Sequence, residues 1–262
     1  MCLIIVSIGQ HPDFPLVVAA NRDEFHQRPT AAMDWWPQPD LLAGRDLKSG
    51  GTWLAVDRSG NVAAVTNVRE GTPETGRHSR GELPLQALTT ATETLQGRLM
   101  DHQDDYSGFN LIRLSSEHQG SGWYYSNRDA HPGRHLHRGS YGLSNHLLQS
   151  PWPKLLRLRN AVAATLASHA AQPTTSLHRQ LVGQLQDTTP APDHVLPDTG
   201  VGLATERFLS APFILGPHYG TRATTVVTVR RDGEVAVTEQ SWSPTGDAVG
   251  TRQFCWQREP LI

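Results

Sequence analysis

The second residue of the chain, Cys2, is of a type that can act as a nucleophile. Removal of Met1, which is common before a small second residue, would leave Cys2 with both a thiol and a free α-amine. The amine titrates near roughly 7.7–8.0 and a thiol near about 8.5, so the amine can act as the base for its own side chain. The alternative is that Cys2 is a small apolar residue of a buried strand, because unpaired cysteines are often buried.

A polar run, Asn21-Arg22-Asp23-Glu24, directly follows the apolar segment 16–20. Charge placed after a strand is typical of functional sites, which are commonly built on the segments that leave a rigid scaffold. The same run could be a solvated turn with an internal ion pair.

Two further patterns could belong to a ligand site. Gly50-Gly51-Thr52-Trp53 lacks the lysine of a phosphate-binding loop, so we expect its glycines to let the main chain pass close to the site, with Trp53 packed beside it. Trp35-Trp36 lies in a proline-rich stretch that we predict to be a loop, where the pair could line a ligand mouth or pack over the core.

The histidines of segment 131–146 do not predict a metal site. They lack accompanying Cys or acidic ligands at the spacing of a zinc site. We expect surface positions for them, from which they could contact an anionic ligand or haem.

Length and composition are those of an ordinary globular protein. The 262 residues are 37% hydrophobic and 18% charged, which suits one domain over 1–262. The net charge of −2, without a basic cluster, argues against a nucleic-acid partner. No apolar run approaches the roughly 20 residues of a membrane span and the start lacks a basic leader, so we expect no transmembrane segment and a cytoplasmic location. Cys2 and Cys255 are then expected to be free thiols.

Hydrophobic periodicity predicts the elements that would position these residues. The predicted strands cover 2–7, 16–20, 52–56, 61–66, 109–114, 122–126, 141–143, 224–230, 234–239 and 253–257. The predicted helices begin at the capping-box sequence 79–82, at Ser150-Pro151 and near 176. Strands joined by short turns, with helices between two strand-rich parts, favour antiparallel sheets with helices packed outside.

A series of motifs in a fixed order along the chain carries a family resemblance. The motifs are the Met-Cys start, Ala19-Ala20-Asn21-Arg22-Asp23-Glu24-Phe25, Gly50-Gly51-Thr52-Trp53-Leu54, Ala64-Val65-Thr66-Asn67, Ser79-Arg80-Gly81-Glu82-Leu83, Gly108-Phe109-Asn110-Leu111, Tyr141-Gly142-Leu143-Ser144-Asn145, Pro151-Trp152 and Tyr219-Gly220-Thr221-Arg222. With these motifs the sequence resembles the NRDE (TANGO2-like) family from end to end. That family is similar to the N-terminal-nucleophile hydrolases, which implies an α+β fold of four layers, αββα, with two mainly antiparallel sheets.

The same resemblance implies a catalytic set, by similarity to the bile salt hydrolase and penicillin acylase group. Cys2 matches the nucleophile and Asp23 the aspartate beside its amine. Asn67 and Asn145 match two asparagines near the oxyanion, where donors stabilise developing negative charge. Arg222 matches an arginine that would hold Asp23 or a substrate carboxylate. Turn-forming asparagines and a structural Asp–Arg pair are the alternatives.

One position departs from the hydrolase pattern. The hydrolases have an arginine three residues before the aspartate, where this chain has Ala20. Arg22 is instead adjacent to Asp23 and would point to the opposite face if the strand continued. Asn21, Arg22 and Trp53 are the residues predicted to contact a ligand.

Two functions follow from the resemblance. The first is an amidohydrolase-like enzyme in which Cys2 attacks a small amide or acyl compound, with no cofactor required. The second is a non-catalytic intracellular carrier of haem, acyl-coenzyme A or lipid, since the family is linked to haem transfer and lipid metabolism.

Overall fold

Strands and helices account for most of the described chain. A computed structural model describes residues 2–71, 76–117, 120–169 and 173–258. The strands are β1 (Cys2–Ile8), β2 (Leu16–Phe25), β3 (Thr30–Pro37), β4 (Asp40–Asp46), β5 (Leu54–Val56), β6 (Val62–Asn67), β7 (Phe109–Ser115), β8 (Ser121–Ser126), β9 (Arg134–Leu136), β10 (Gly139–Leu143), β11 (Tyr219–Val229), β12 (Glu234–Trp242) and β13 (Ala248–Gln257). The helices are α1 (Leu83–Thr89), α2 (Thr92–Asp101), α3 (Pro153–Ser168), α4 (Thr174–Leu185) and α5 (Leu203–Phe208).

The strands form two antiparallel sheets. The first has the order β10-β1-β2-β11-β12-β13, and the second has the order β3-β4-β5-β6-β7-β8-β9. The predicted hairpins β1-β2, β5-β6 and β11-β12 are confirmed by their pairing. The first sheet combines strands from both ends of the chain, so β1 lies in its interior between β10 and β2.

Alternation along β1 and β2 explains why both faces of the first sheet are covered. Ile4 and Val18 belong to an apolar cluster between the two sheets, which also contains Val56 and Ile112 of the second sheet. Residues at the neighbouring positions, such as Leu3, face the other way because successive strand side chains point to opposite faces. They pack against the helices.

Helices cover the outer face of each sheet. Leu155 of α3 and Leu181 of α4 pack on the first sheet, and the predicted apolar stripe of α3 is buried there. Leu83 of α1 and Leu95 of α2 pack on the second sheet. The order of layers is therefore helix, sheet, sheet, helix, and the predicted α+β architecture is confirmed.

One predicted loop is wrong, and two short elements were not predicted. The proline-rich stretch with Trp35-Trp36 forms the hairpin of β3 and β4, in which Trp36 is buried and its indole N–H donates to the oxygen of Ala43 at 2.9 Å. The sequence pattern did not predict the short helix α5. Short β9 was also missed.

Two predicted element boundaries were wrong as well. The strand expected at 16–20 continues to Phe25 as β2, because it pairs with β1 on one side and β11 on the other. The helix expected after Ser79 is divided into α1 and α2, and Glu82 accepts a hydrogen bond from the Tyr106 hydroxyl. Among the described residues, no helix combines the length and apolarity that crossing a membrane requires.

Candidate active site

The start of β1 lies between two strands that carry predicted site residues. On one side, Cys2 pairs with Arg22 of β2, so the next residue of that strand, Asp23, lies beside the amino end of β1. On the other side, β1 pairs with β10 as far as Ile4 and Leu143, and Asn145 follows Leu143 by two residues. One end of the first sheet therefore brings these predicted residues together.

Only part of the predicted cysteine chemistry falls within the described residues. Met1 and the thiol of Cys2 lie outside them, so the removal of Met1 and the reactivity of Cys2 stay predictions. Cys255 is an exposed free thiol on β13, four strands away from β1. Burial and the neighbouring Glu234 raise the pKa of the Cys255 thiol, so this second cysteine is poorly activated.

Asp23 is a buried carboxylate on the helix side of β2. Its exposed fraction is 1%, and its Oδ1 accepts a hydrogen bond of 2.7 Å from the hydroxyl of Thr221, its partner on β11. Burial raises the pKa of Asp23, while the positive charges of Lys154 and Arg69 and the bond from Thr221 act in the opposite direction. The strand thus presents a carboxyl whose ionisation depends on its neighbours.

Asn67 and Asn145 contact each other, although β6 and β10 belong to different sheets. The side-chain Nδ2 of Asn145 donates to the main-chain oxygen of Asn67 at 3.2 Å and to its Oδ1 at 3.1 Å. The main-chain oxygen of Asn145 accepts from the N–H of Arg69 at 2.7 Å. These bonds connect the two sheets beside the start of β1 and fix both amides in place.

Arg22 lies on the face of β2 opposite to Asp23, as its position in a continued strand predicted. It is buried, its guanidinium carbon lies 4.0 Å from the ring centre of Trp53, and its Nη1 donates to Thr30 at 3.0 Å. Asp46 lies 4.0 Å from its Nη2. Two of the predicted ligand-contacting residues, Arg22 and Trp53, therefore form one stacked pair.

That stacked pair lines a polar cleft of about 160 Å³. The cleft lies between the end of β2, the end of β6 and the turn before α1. Its charged lining residues are Arg22, Asp23, Glu24, Arg28, Asp46 and Arg80, and its uncharged polar residues are Thr52, Thr66, Asn67 and Ser79. Three arginines and three carboxylates make the lining of the cleft mainly charged.

The two glycine-containing motifs meet at the wall of the cleft, as predicted for the first of them. A Cβ on Gly51 would lie 2.4 Å from the main chain of Gly81, and Thr52 N donates to the oxygen of Gly81 at 2.8 Å. Only glycine permits this approach, which holds the turn before α1 against the segment that carries Trp53 and leads into β5.

Asn21 and Arg222 do not line the cleft. The Nδ2 of Asn21 donates to the oxygens of Leu185 and Pro212 at 2.8 and 2.9 Å, and its Oδ1 accepts from Thr224 at 2.6 Å. Asn21 thereby joins β2 to the end of α4, and the cleft lining does not include it.

A β-bulge determines where Arg222 lies. The pairing of β11 with β2 shifts between Thr221 and Ala223, so Arg222 lies at the irregularity. Its Nη1 donates to Thr30 at 3.2 Å and to the main-chain oxygen of Arg28. Burial lowers the pKa of Arg222. The hydrogen bond to Oδ1 of Asp23 comes from Thr221, next to Arg222 in sequence.

The sequence analysis missed a buried charged group behind Asp23. Arg69 and Glu206 form an ion pair of 2.5 Å with side chains only 5% and 3% exposed, and the Arg69 guanidinium lies 4.7 Å from the ring centre of Trp152. Lys154 is buried at the start of α3. One signal was available, since Lys154 is one of two lysines in the chain and follows the motif at Trp152. Within the described ranges, no group of three His, Cys, Asp or Glu side chains could hold a metal ion.

The fold and the site define a four-layer α+β protein whose first strand begins at a cysteine paired with the neighbouring strand one residue before a buried aspartate. The model of the family "Transport and Golgi organisation 2" (TANGO2) matches residues 1–244, and the chain belongs to this family. The family resemblance seen in the motifs is confirmed.

Relatives from animals match over nearly the whole chain. The Transport and Golgi organization protein 2 homolog of Bos taurus is 34% identical, covering 97% of this chain and 99% of the relative. The Homo sapiens homolog is 35% identical, covering 92% and 93%. The Drosophila melanogaster protein is 27% identical, covering 92% of each.

One solved structure resembles the chain only weakly. A mutant conjugated bile acid hydrolase from Clostridium perfringens is 8% identical, with a TM-score of 0.48 and coverage of 100% of this chain and 99% of that one. A similarity of this size supports no functional inference. The four layers are established by the sheets and apolar clusters of the chain itself.

Proposed function

We propose that this protein is an N-terminal-nucleophile amidohydrolase that cleaves or transfers the acyl group of a small polar amide in the cytoplasm. The observation that carries the proposal is the position of Cys2 at the start of an interior strand, with Asp23 on one side and the Asn67–Asn145 pair on the other. A chain that begins there places its amine and thiol among fixed polar groups.

The reaction follows from the types of these residues. The α-amine of Cys2 takes the thiol proton, the sulfur bonds to the acyl carbon, and the carbonyl oxygen becomes an oxyanion near Asn67 and Asn145. The C–N bond breaks as the amine leaving group takes the proton from the α-ammonium. Water then hydrolyses the thioester, releasing the acid and restoring the thiol.

The cleft beside Arg22 and Trp53 supports a small substrate. Its volume of about 160 Å³ is below the roughly 300–1,000 Å³ of pockets that enclose drug-sized ligands. Its lining is mainly polar and charged, which favours a compact polar acyl compound over haem at this position.

The two cysteines allow a matched test. Purified protein is measured by intact mass and treated with a panel of electrophilic amides and esters, in parallel with Cys2→Ala and Cys255→Ala. We expect loss of Met1, one equivalent of label in the parent and in Cys255→Ala, and none in Cys2→Ala. Retention of Met1 in labelled protein, or labelling that depends on Cys255, would refute the mechanism.

A carrier function is the second candidate, and an apolar cavity supports it. This cavity of about 380 Å³ is lined by Phe208, Phe213 and Leu215, among others. It reaches Ile214, whose N–H donates to Thr221 at 2.9 Å, and Thr221 donates to Asp23. An acyl chain of a lipid or acyl-coenzyme A could occupy it.

Absorbance titration with haem and calorimetry with an acyl-coenzyme A separate the two functions. Tight binding that is equal in the parent and Cys2→Ala, without turnover of any probe, would favour the carrier. Binding that depends on Cys2, together with acyl release, would favour the enzyme.

A further inference from the structure

Asn21 and Asp23 each accept a hydrogen bond from a threonine of the neighbouring strand β11. The hydroxyl of Thr224 donates to Oδ1 of Asn21 at 2.6 Å, and that of Thr221 donates to Oδ1 of Asp23 at 2.7 Å. All of these residues are at most 1% exposed. Because positions two apart in a strand share a face, Asn21 and Asp23 lie on the same side of the sheet.

The β-bulge at Arg222 brings both threonines to that same side. Thr221 and Thr224 are three residues apart, so their side chains would point to opposite faces of a regular strand. The register of β11 against β2 shifts between Thr221 and Ala223, which adds one residue to β11. The bulge therefore allows both hydrogen bonds to form on one face.

A further N–H group fixes the direction of each hydroxyl. The indole Nε1 of Trp242 donates to Oγ1 of Thr224 at 2.9 Å, and the main-chain N of Ile214 donates to Oγ1 of Thr221 at 2.9 Å. A hydroxyl that accepts such a bond has its own proton left for the acceptor on β2. The N–H of Ile214 thus directs the proton of Thr221 to Asp23.

The side-chain amide of Asn21 holds the segment that supplies this N–H. Its Nδ2 donates to the main-chain oxygens of Leu185, at the end of α4, at 2.8 Å and of Pro212 at 2.9 Å. Two residues after Pro212, the oxygen of Ile214 accepts from the main-chain N of Thr221 at 2.9 Å. Asn21 therefore fixes one end of a short segment whose other end is paired with Thr221.

We propose that Asn21 is a positioning residue for Asp23, because it holds the segment whose main-chain N–H orients the Thr221 hydroxyl. The inference rests on the proposed function, in which the carboxyl of Asp23 lies beside the α-amine of Cys2. Loss of the bond from Thr221 would raise the pKa of Asp23, since hydrogen bonds to a carboxylate favour its ionised form. Asn21 thus acts on the site through Thr221, without touching the ligand.

The pH profile of Cys2 alkylation by iodoacetamide tests this role without a known substrate. Rates are measured by peptide mass spectrometry between pH 4 and 9 in a Cys255→Ser background, and the limb that disappears in Asp23→Asn is assigned to Asp23. The positive charges of Lys154 on α3 and of Arg69 after β6, which also act on the pKa of Asp23, are the same in every variant.

Two single variants and their combination measure the coupling. Thr221→Val should raise the pKa of Asp23 by about one pH unit, and Asn21→Leu should raise it by about half a unit. Thr224→Val is the matched control, because it also removes a hydrogen bond of Asn21 but leaves both Nδ2 donors in place, and it should leave the limb unchanged. In Asn21→Leu/Thr221→Val the shift should equal that of Thr221→Val alone.

The outcomes separate this inference from the function on which it rests. Additive shifts in the double variant, equal shifts in Thr224→Val and Asn21→Leu, or an Asp23→Asn profile equal to that of the parent would overturn the role of Asn21. If Asn21→Leu does not fold, Asn21→Ser, which also lacks Nδ2, takes its place in each comparison. Retained Met1, seen by intact mass, would instead defeat the proposed function itself.

Discussion

At the scale of single residues, Thr221 is the neighbour that hydrogen-bonds the buried carboxyl of Asp23. Its hydroxyl donates to Oδ1 of Asp23 at 2.7 Å and accepts from the N–H of Ile214 at 2.9 Å. A hydrogen bond to a charged group contributes about 1.5–3 kcal/mol, more than one between neutral groups. Thr221 therefore offsets part of the cost of burying the carboxylate.

Replacement of Thr221 by valine should expose that cost. Thr221→Val keeps the shape and removes both hydrogen bonds, so we expect a loss of about 1–3 kcal/mol in the free energy of unfolding. Thr225→Val is the matched control on the same strand, since Thr225 is buried and the described residues give it no hydrogen bond through its side chain. Urea unfolding measures both, and equal stability of the two variants would contradict this role of Thr221.

The residue types predicted part of the site. The positions of the other side chains depend on the register between paired strands. The position of Arg22 opposite to Asp23 followed from alternation once the strand continued. The surroundings of Arg222 did not, because a bulge between Thr221 and Ala223 changes which residue faces Asp23. The burial of Lys154 was not predicted either, because it depends on packing between α3 and the segment near Leu209, which a sequence pattern does not record.

At the scale of elements, the contact between the segment leading to β5 and the turn before α1 shapes the cleft. Gly51 and Gly81 lie back to back there, with no room for a side chain on Gly51. The motif around Trp53 and the motif around Arg80 thus form one wall, although about 30 residues of chain separate them.

A methyl group at Gly51 should separate these two elements. Gly51→Ala would meet the main chain of Gly81 at 2.4 Å, and because main chain yields less than a side-chain tip, we expect a loss of about 1–3 kcal/mol in the free energy of unfolding. Gly97→Ala is the control within α2, where no atom lies within 4 Å of the added Cβ. That helical substitution should be stabilising by about 0.5–1 kcal/mol. If both variants changed the stability in the same direction in thermal unfolding, the steric argument would be disproved.

Periodicity predicted the elements with long apolar patterns and failed for the short or interrupted ones. The stripe of α3, from Leu155 to Leu166, was found because four apolar residues repeat at helical spacing. The hairpin of β3 and β4 was predicted to be a loop, since Pro37 and Pro39 lie at its turn and the Trp pair breaks the simple alternation. Helix α5 has six residues, too few for a helical period to appear.

At the scale of the whole molecule, two buried titratable groups make the stability of the protein change with pH in opposite directions. His178 of α4 lies between the hydroxyls of Thr228 and Thr238, each at 2.8 Å, and burial lowers its pKa to about 4. Glu239 of β12 lies between the sheets, accepts from Met33 N at 2.7 Å, and has its pKa raised to about 7 by burial.

The sign of each contribution follows from proton binding. Between pH 6.5 and about 4, the unfolded chain protonates His178 while the folded protein keeps it neutral, so the protein loses stability as the pH falls. Between pH 4.5 and about 7, the folded protein holds a proton on Glu239 that the unfolded chain has released, so stability is lost as the pH rises. The two slopes partly cancel in the parent protein.

Single substitutions should reveal each slope. Glu239→Gln keeps an acceptor for Met33 and should make the protein more stable than the parent at pH 8 by about 1–3 kcal/mol, with little gain at pH 4.5.

His178→Gln should be more stable than the parent by a similar amount near pH 4 and should lose that advantage above pH 6.5. Exposed Glu117→Gln and His135→Gln are the matched controls. Urea unfolding from pH 4 to 8 measures the free energy of unfolding of all four variants. If the curves of Glu239→Gln and His178→Gln against pH ran parallel to that of the parent, neither group would be held in its neutral form by the packing of the layers.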